Sequence, residues 1–239
     1  MIRALVTGGS GTIGAAIARS LAAAGHHVYV HAHGQVARAE SVVQAIAAAG
    51  GSAAAVRFDV TDAAATRYAL EGLLEAGAVQ ILVNNAGIHD DAVMPGMSAE
   101  QWSRVIDVSL NGFFNVTQPL LLPMIRTRWG RIVNISSVAA IAGNRGQTNY
   151  AAAKAGLHGA ARSLALELGS RGVTVNTVAP GIIESPAIQD AFPPDVIERL
   201  VPMKRAGRPE EVAELVSFLA SERAGYISGQ LISINGGMI

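Results

Sequence analysis

Short apolar runs alternate with longer stretches of helical periodicity along the whole chain. Seven runs read as strands: Ala4–Thr7, His27–Ala32, Ala54–Asp59, Gln80–Asn84, Gly130–Ser136, Thr174–Ala179 and Leu231–Ile234. They are rich in Val and Ile and do not alternate with polar residues, which is the pattern of strands buried on both faces. Between them, Ile13–Ala24, Val36–Ala49, Ala63–Glu75, Ala99–Arg126, Tyr150–Ser170 and Glu210–Ser221 carry helical spacing. In the fourth of these, Trp102, Val105, Ile106, Phe113 and Phe114 recur at that spacing. The alternation predicts an α/β fold: one Rossmann-like, doubly wound parallel sheet of about seven strands, with helices on both faces. No linker or composition break divides the chain, so residues 1–239 read as one domain. The least regular stretch is Gly181–Arg208, with Pro186, Pro193, Pro194 and Pro202. Long irregular segments in compact domains often cover a ligand, and residues 185–208 are expected to form a substrate lid.

Composition removes several function classes. Half of the 239 residues are hydrophobic and 15% are charged, which excludes a disordered chain. Eighteen Lys and Arg balance eighteen Asp and Glu, so there is no basic footprint for nucleic acid. Cysteine is absent, which removes disulfides, thiolate catalysis and cysteine metal sites. No apolar run reaches the ~18 residues of a membrane span. Met1–Val6 enters a strand directly rather than a signal peptide, so a cytoplasmic protein is expected.

Thr7-Gly8-Gly9-Ser10-Gly11-Thr12-Ile13-Gly14 follows the first strand and opens the first helix. Glycines let backbone approach a pyrophosphate, and a helix N-terminus favours its charge. Gly8, Ser10, Gly11, Thr12, Ile13 and Gly14 are therefore the expected cofactor cradle. A phosphate-binding kinase loop fits less well, because no Gly-Lys-Ser/Thr follows. The second strand ends His31-Ala32-His33-Gly34, without the Asp or Glu that usually holds NAD ribose hydroxyls. His33 or Arg38 offers a cation for a 2′-phosphate, so NADP(H) is expected over NAD(H). Asp59-Val60 closes the third strand, where the carboxylate can accept from an adenine amino group. A helix N-cap is the other role open to Asp59, and Thr61 or Asp62 suits that role as well. Asn84-Asn85-Ala86-Gly87 ends the fourth strand at the ligand crevice. Asn85, Ala86 and Gly87 are expected both to fix backbone and to touch the cofactor.

Tyr150 and Lys154 stand one helical turn apart, thirteen residues after Ser137 at the end of a strand. A free Tyr has a pKa of about 10 and is a poor acid at neutral pH. A nearby ammonium stabilises the phenolate and lowers that pKa. The Ser137 hydroxyl can polarise a carbonyl oxygen. Together the three offer what hydride transfer to a ketone requires.

Taken together, these residues resemble the short-chain dehydrogenase/reductase family. The marks run from Leu5 to Met238: the glycine turn, Asp59-Val60, the Asn84–Gly87 tetrad, Ser137, Tyr150 with Lys154, and Pro180-Gly181. The resemblance implies Asn111, in Val108-Ser109-Leu110-Asn111, as a fourth catalytic residue that holds a water in a proton relay from Lys154. It also implies that backbone just after Pro180-Gly181, at Ile183, binds the nicotinamide carboxamide, with Ser185 near the cofactor phosphates. One departure stands out. Position 12 is Thr12, so the turn spells T-G-x-x-G-x-x-G, more usual in longer members, and Gly11 replaces a frequently basic residue. At 239 residues there is no room for the substrate domain of those longer members.

Within the family the likeness is greatest to reductases of 3-oxoacyl groups on acyl carrier protein. It is carried by Gly143–Gly156, Val173–Asn176, Pro180–Glu184 and the terminal Asn235-Gly236-Gly237-Met238. It implies reduction of a 3-oxoacyl thioester, on carrier protein or coenzyme A, to the (3R)-hydroxyacyl product. Ser137, Gln147 and Tyr150, with Ile188 and Phe192 on the lid, are the expected substrate residues. Arg128 and Arg171 match positions that dock an acidic carrier, although solvated helix-end arginines read the same way. A homotetramer is implied, built through the helices Ala99–Arg126 and Tyr150–Ser170 and the last strand. An NAD(P)-dependent dehydrogenase of a sugar, polyol, steroid or other secondary alcohol uses the same machinery. A non-catalytic binding protein would not need all of Asn111, Ser137, Tyr150 and Lys154. His89-Asp90-Asp91 lacks spaced partners, so no metal is expected. His26, His27 and His158 read as structural or exposed, and Arg205 and Arg208 as helix-flank charges.

Overall fold

Strand β1 (Arg3–Val6) pairs in parallel with both β2 (His27–Ala32) and β4 (Ile81–Asn84), so the sheet grows outward from it in two directions. The computed structural model describes residues 1–186, 188 and 192–239. With β3 (Ser52–Arg57), β5 (Gly130–Ile135), β6 (Val173–Pro180) and β7 (Leu231–Ile234), the order is β3-β2-β1-β4-β5-β6-β7, all parallel. The winding direction reverses between β1 and β4, and a ligand crevice opens beyond the strand C-termini at such a point.

Side chains alternate across the sheet. Ala4 and Val6 join the layer under α1 (Thr12–Ala23), α2 (Val36–Ala48) and a late helix, Pro209–Ala220. Leu5 and Leu82 join the opposite layer, under α3 (Ala63–Glu75), α5 (Gly112–Thr127) and α7 (Thr148–Leu168). Both strand faces are buried, which is why the strands read as unbroken apolar runs.

Three expectations are corrected here. The third strand is Ser52–Arg57, not Ala54–Asp59: β2 ends at Ala32, whose partner is Arg57. Beyond it Asp59 turns back, and its Oδ1 accepts from Thr61 N (2.9 Å) and Thr61 Oγ1 (2.8 Å). The expected helix Ala99–Arg126 is continuous but not uniform. Helix α4 (Ala99–Ile106) widens into a π-helical turn at Asp107–Asn111 before α5 begins. Of the residues at helical spacing, Val105 is buried and Phe114 is 63% exposed. Within the stretch expected to be irregular, Pro194–Leu200 folds as helix α8, with proline at its first position, ahead of α9 (Pro209–Ala220). Among the described residues no helix is long and apolar enough to cross a membrane.

Candidate active site

The glycine turn leads into α1 without a side-chain cap, which leaves the first amides of the helix without an intrahelical acceptor. Gly8 sits at φ +62°. At Gly14 a Cβ would overlap Gly8 O and come within 2.7 Å of Asn85 Nδ2, so only glycine fits. Asn85 pins the turn from the far strand, with Nδ2 donating to Thr7 O (3.0 Å) and Gly8 O (3.1 Å). Thr7 Oγ1 accepts from Asn85 N (2.9 Å) and Ala86 N (3.0 Å). Asn84 lies deeper, donating to Asn134 Oδ1 (2.9 Å) and Thr117 Oγ1 (3.1 Å). Asn85 thus braces the cradle and Asn84 joins β4 to β5 and α5.

A second brace has no counterpart in the sequence reading. His31, 2% exposed, accepts from Gly8 N at Nδ1 (3.1 Å) and meets Phe58 O through Nε2 (2.9 Å). The acceptor at Nδ1 leaves the proton on Nε2. Burial lowers its pKa to about 4. Its only sequence signal was a polar residue inside an apolar strand.

The turn after β2 is mixed in charge. His33 Nε2 lies 3.6 Å from Asp59 Oδ2. Arg57 Nε donates to His33 O (3.3 Å), adding a cation that the misplaced end of β3 concealed. Arg38 is exposed. Asp62, not Asp59, caps α3, accepting from Ala64 N (3.0 Å) and Ala65 N (2.9 Å). Val60 is buried against Gly112.

At the other end, Glu184 N donates to Gly207 O (2.8 Å) and Gly207 N to Ile182 O (2.9 Å). Strand alternation therefore turns the amide and carbonyl of Ile183, between them, the opposite way, as a carboxamide requires. Ser185 Oγ accepts from Ile188 N (3.2 Å). Pro180 ends β6, and a Cβ on Gly181 would strike Asn235, 2.8 Å from its Cα. Open helix amides, a glycine-only cradle and the free edge at Ile183 together fit a nicotinamide dinucleotide.

Helix α7 carries Tyr150 and Lys154 on one buried face. Lys154 Nζ donates to Ile135 O (2.9 Å) and stands 5.8 Å from the Tyr150 ring centroid. Burial lowers the Lys154 pKa to about 8. The expected fall of the Tyr150 pKa does not occur: burial pushes it up to about 12, and the hydrogen bond from Ser137 only partly offsets this. Tyr150 is therefore held in its acid form. Ser137 Oγ also accepts from Ala139 N (3.2 Å), the first residue of α6 (Ala139–Ala142).

Ser137, Tyr150 and Lys154 come together, but Asn111 does not join them. It is exposed, and its amide turns back to Asp107 Oδ1 (2.6 Å). The π-helical turn presents Ser109 instead. Ser109 is buried, its Oγ meets no described protein partner, and it faces Gly87 beside Lys154 Nζ. A hydroxyl two positions earlier carries no signal unless the π-helical turn is known.

Gln147 is engaged at both ends, its Oε1 accepting from Asn144 Nδ2 (3.0 Å) and its Nε2 donating to Asp91 Oδ2 (2.8 Å). Ile188 and Phe192 line a cavity of about 310 Å³ with Glu184, Ile197 and Lys204. Residues 187 and 189–191 of the expected lid lie outside the described residues. Arg205 grips Glu211 with a forked pair of hydrogen bonds, 2.7 and 2.8 Å, at the start of α9. Arg128 and Arg171 are both exposed, and Arg128 reaches Ser170 O (3.4 Å), next to Arg171. Among the described residues no group of three or more His, Asp or Glu is placed to hold a metal.

The family model described as enoyl-(acyl carrier protein) reductase matches residues 8–239. A 3-oxoacyl-(acyl-carrier-protein) reductase FabG of Aggregatibacter actinomycetemcomitans is 45% identical over 236 residues, covering 98% of each chain. One of the same name from Staphylococcus aureus is 44% identical over 239 residues, covering 98% of this chain and 97% of its own. A 3-oxoacyl-(acyl-carrier-protein) reductase of Synechocystis is 43% identical over 238 residues, covering 99% of this chain and 96% of its own.

Proposed function

The chain belongs to the short-chain dehydrogenase/reductase family, and from that premise we propose that it reduces 3-oxoacyl thioesters to (3R)-hydroxyacyl thioesters with NADPH. The observation that carries the reading is Tyr150 and Lys154 on one buried face of α7, the Lys154 Nζ 5.8 Å from the Tyr150 ring, with Ser137 beside them just past the end of β5. The full-length likeness to named 3-oxoacyl reductases supports the substrate class.

The cradle Gly8–Gly14, with Asp59, Val60, Asn85, Ala86 and Gly87, would hold the dinucleotide, with Ile183 at its nicotinamide carboxamide and Ser185 near its phosphates. When bound, that cofactor supplies the hydride. Ser137 orients the 3-oxo oxygen and Tyr150 gives it a proton. The Lys154 ammonium then stabilises the phenolate left behind. Its remaining N–H groups and the Ser109 hydroxyl serve the path that returns a proton to Tyr150, with Ser109 in the place expected of Asn111. NADPH is preferred because His33 and Arg57 border the second-strand turn where a 2′-phosphate would lie.

Ile188 and Phe192 cover the acyl chain, from a lid spanning about residues 185–208. Arg128 and Arg171 form a docking pair for an acidic carrier protein. Exposed Phe114 and Leu122 on α5 and Leu166 on α7 suit a homotetramer in the cytoplasm. The test compares NADPH and NADH oxidation with acetoacetyl thioesters, an enoyl thioester, simple ketones, polyols and sugars. Acetoacetyl thioester with NADPH is expected to be fastest. Preference for the enoyl thioester or a sugar would overturn the substrate reading, and a lower KM for NADH the cofactor reading.

A further inference from the structure

His89 lies flat against the Tyr150 ring, centroids 4.1 Å apart and planes at 28°. The loop that carries it is tied down on both sides. Asp90 accepts from Gln101 Nε2 (2.9 Å), pairs with Arg104 (3.3 Å), and its carbonyl accepts from Asn149 Nδ2 (2.9 Å). Ala92 N donates to Gly146 O (2.9 Å). The stretch His89-Asp90-Asp91 is clamped across the start of α7.

We propose that His89 is a positioning residue for the acid: in its neutral form it holds the plane of the Tyr150 ring on the open side of the site. This rests on Tyr150 being the proton donor. The helix fixes the Cα of Tyr150, but two side-chain torsions lie between it and the hydroxyl. Ser137 meets the hydroxyl, and His89 covers a ring face. Stacked aromatic pairs restrict such torsions and add about 0.5–1.5 kcal/mol, two- to tenfold in a rate that depends on alignment.

The protonation state follows from the partners. Gln147 Nε2 lies 3.3 Å from His89 Nδ1 and can only donate to it, so Nδ1 must be an unprotonated acceptor. Adding a proton there sets donor against donor. The nearest acceptor is then Asp91 Oδ1 at 3.9 Å, beyond hydrogen-bond reach of the ring as it is stacked. The charged groups facing His89 are Asp91, which favours the imidazolium, and Lys154, which opposes it. Partial desolvation of the ring where it meets Tyr150, the largest effect, also favours the neutral ring. The neutral ring therefore satisfies both the stack and Gln147, and acidification sets the proton at Nδ1 against that geometry.

The test compares wild type with His89→Ala, His89→Phe and Tyr150→Phe. His89 is 59% exposed, so both replacements should fold. Readouts are the pH profile of kcat for ketone reduction, the KM for reduced cofactor, and tyrosinate absorbance of the cofactor-free protein, with Tyr150→Phe as its blank. His89→Ala is expected to lower kcat about tenfold at unchanged cofactor KM, and Tyr150, opened to water, to titrate lower. His89→Phe, which can still stack, should recover most of that loss and abolish the acid limb of the profile. Wild-type kcat and Tyr150 titration in His89→Ala would overturn the proposal, as would an acid limb that survives in His89→Phe. Normal turnover by Tyr150→Phe would instead remove the premise beneath it.

Discussion

The Ser109 hydroxyl and the Lys154 ammonium close on the same point above Gly87, where a Cβ would lie 3.5 Å from Ser109 Oγ and 3.0 Å from Lys154 Nζ. The π-helical turn Asp107–Asn111 makes this possible, because it turns Ser109 inward and Asn111 out. Such turns inside helices frequently mark functional sites. Ser109→Ala is therefore expected to lower kcat at least about tenfold, towards the small end of proton-transfer effects, with an increased solvent isotope effect. Asn111→Ala should leave kcat within about twofold, since an exposed side chain away from the site rarely matters more. The reverse pattern in steady-state rates would return the fourth position to Asn111.

The pH dependence of catalysis should follow Lys154. Burial lowers its pKa to about 8, so its ammonium is lost as pH rises through that value. The value of kcat/KM for reduced cofactor, which reports the free enzyme, should fall there. Stability moves the other way. Between about pH 8 and 10.5 the unfolded chain binds a proton at this lysine that the folded chain does not, so folding gains as pH rises. A limb near pH 8 that persists in Lys154→Arg would show that another group titrates.

His31 should make the fold acid-sensitive. Its pKa is about 4 folded against 6.5 unfolded, so the unfolded state takes up the proton first as pH drops. Stability is full above about pH 6.5 and is lost on the way down, by about 3 kcal/mol near pH 4. Chemical denaturation of wild type and His31→Gln across this range measures it. An identical pH slope in the two would exclude His31 as the cause.

Two glycines should behave oppositely. Gly14→Ala places a methyl against Gly8 O and Asn85, and cofactor affinity should fall at least about a hundredfold by calorimetry. Gly72 lies in α3 with nothing within 4 Å of an added Cβ. Gly72→Ala should stabilise the chain by about 0.5–1 kcal/mol, read as a shift in denaturation midpoint. Tight binding by Gly14→Ala would remove the cradle from the account of the site.

What the sequence made legible was set by local rules. Unbroken Val and Ile runs marked the strands, and the glycine turn, Tyr150 and Lys154 announced themselves by spacing. What escaped depended on register or distant contact. Arg57 became visible only once pairing with Ala32 ended β3 there. That the Asn111 side chain lies in solvent was hidden because a uniform helix was assumed where the chain widens by a π-helical turn. His89 and His31 looked idle because their partners, Tyr150 and Gly8, lie 61 and 23 residues away along the chain. The raised pKa of Tyr150 runs against an expectation drawn from Lys154 alone, because burial of the hydroxyl is the largest effect on it.

The most direct measurement is turnover of Tyr150→Phe on acetoacetyl thioester with NADPH, set against wild type at neutral pH. The substitution removes one hydroxyl from a buried ring and leaves the cradle, Ser137 and Lys154 in place. Proton donation by Tyr150 predicts a fall in kcat of at least about a thousandfold, within the range of general acid catalysis, with cofactor affinity retained. Near-wild-type turnover would contradict it.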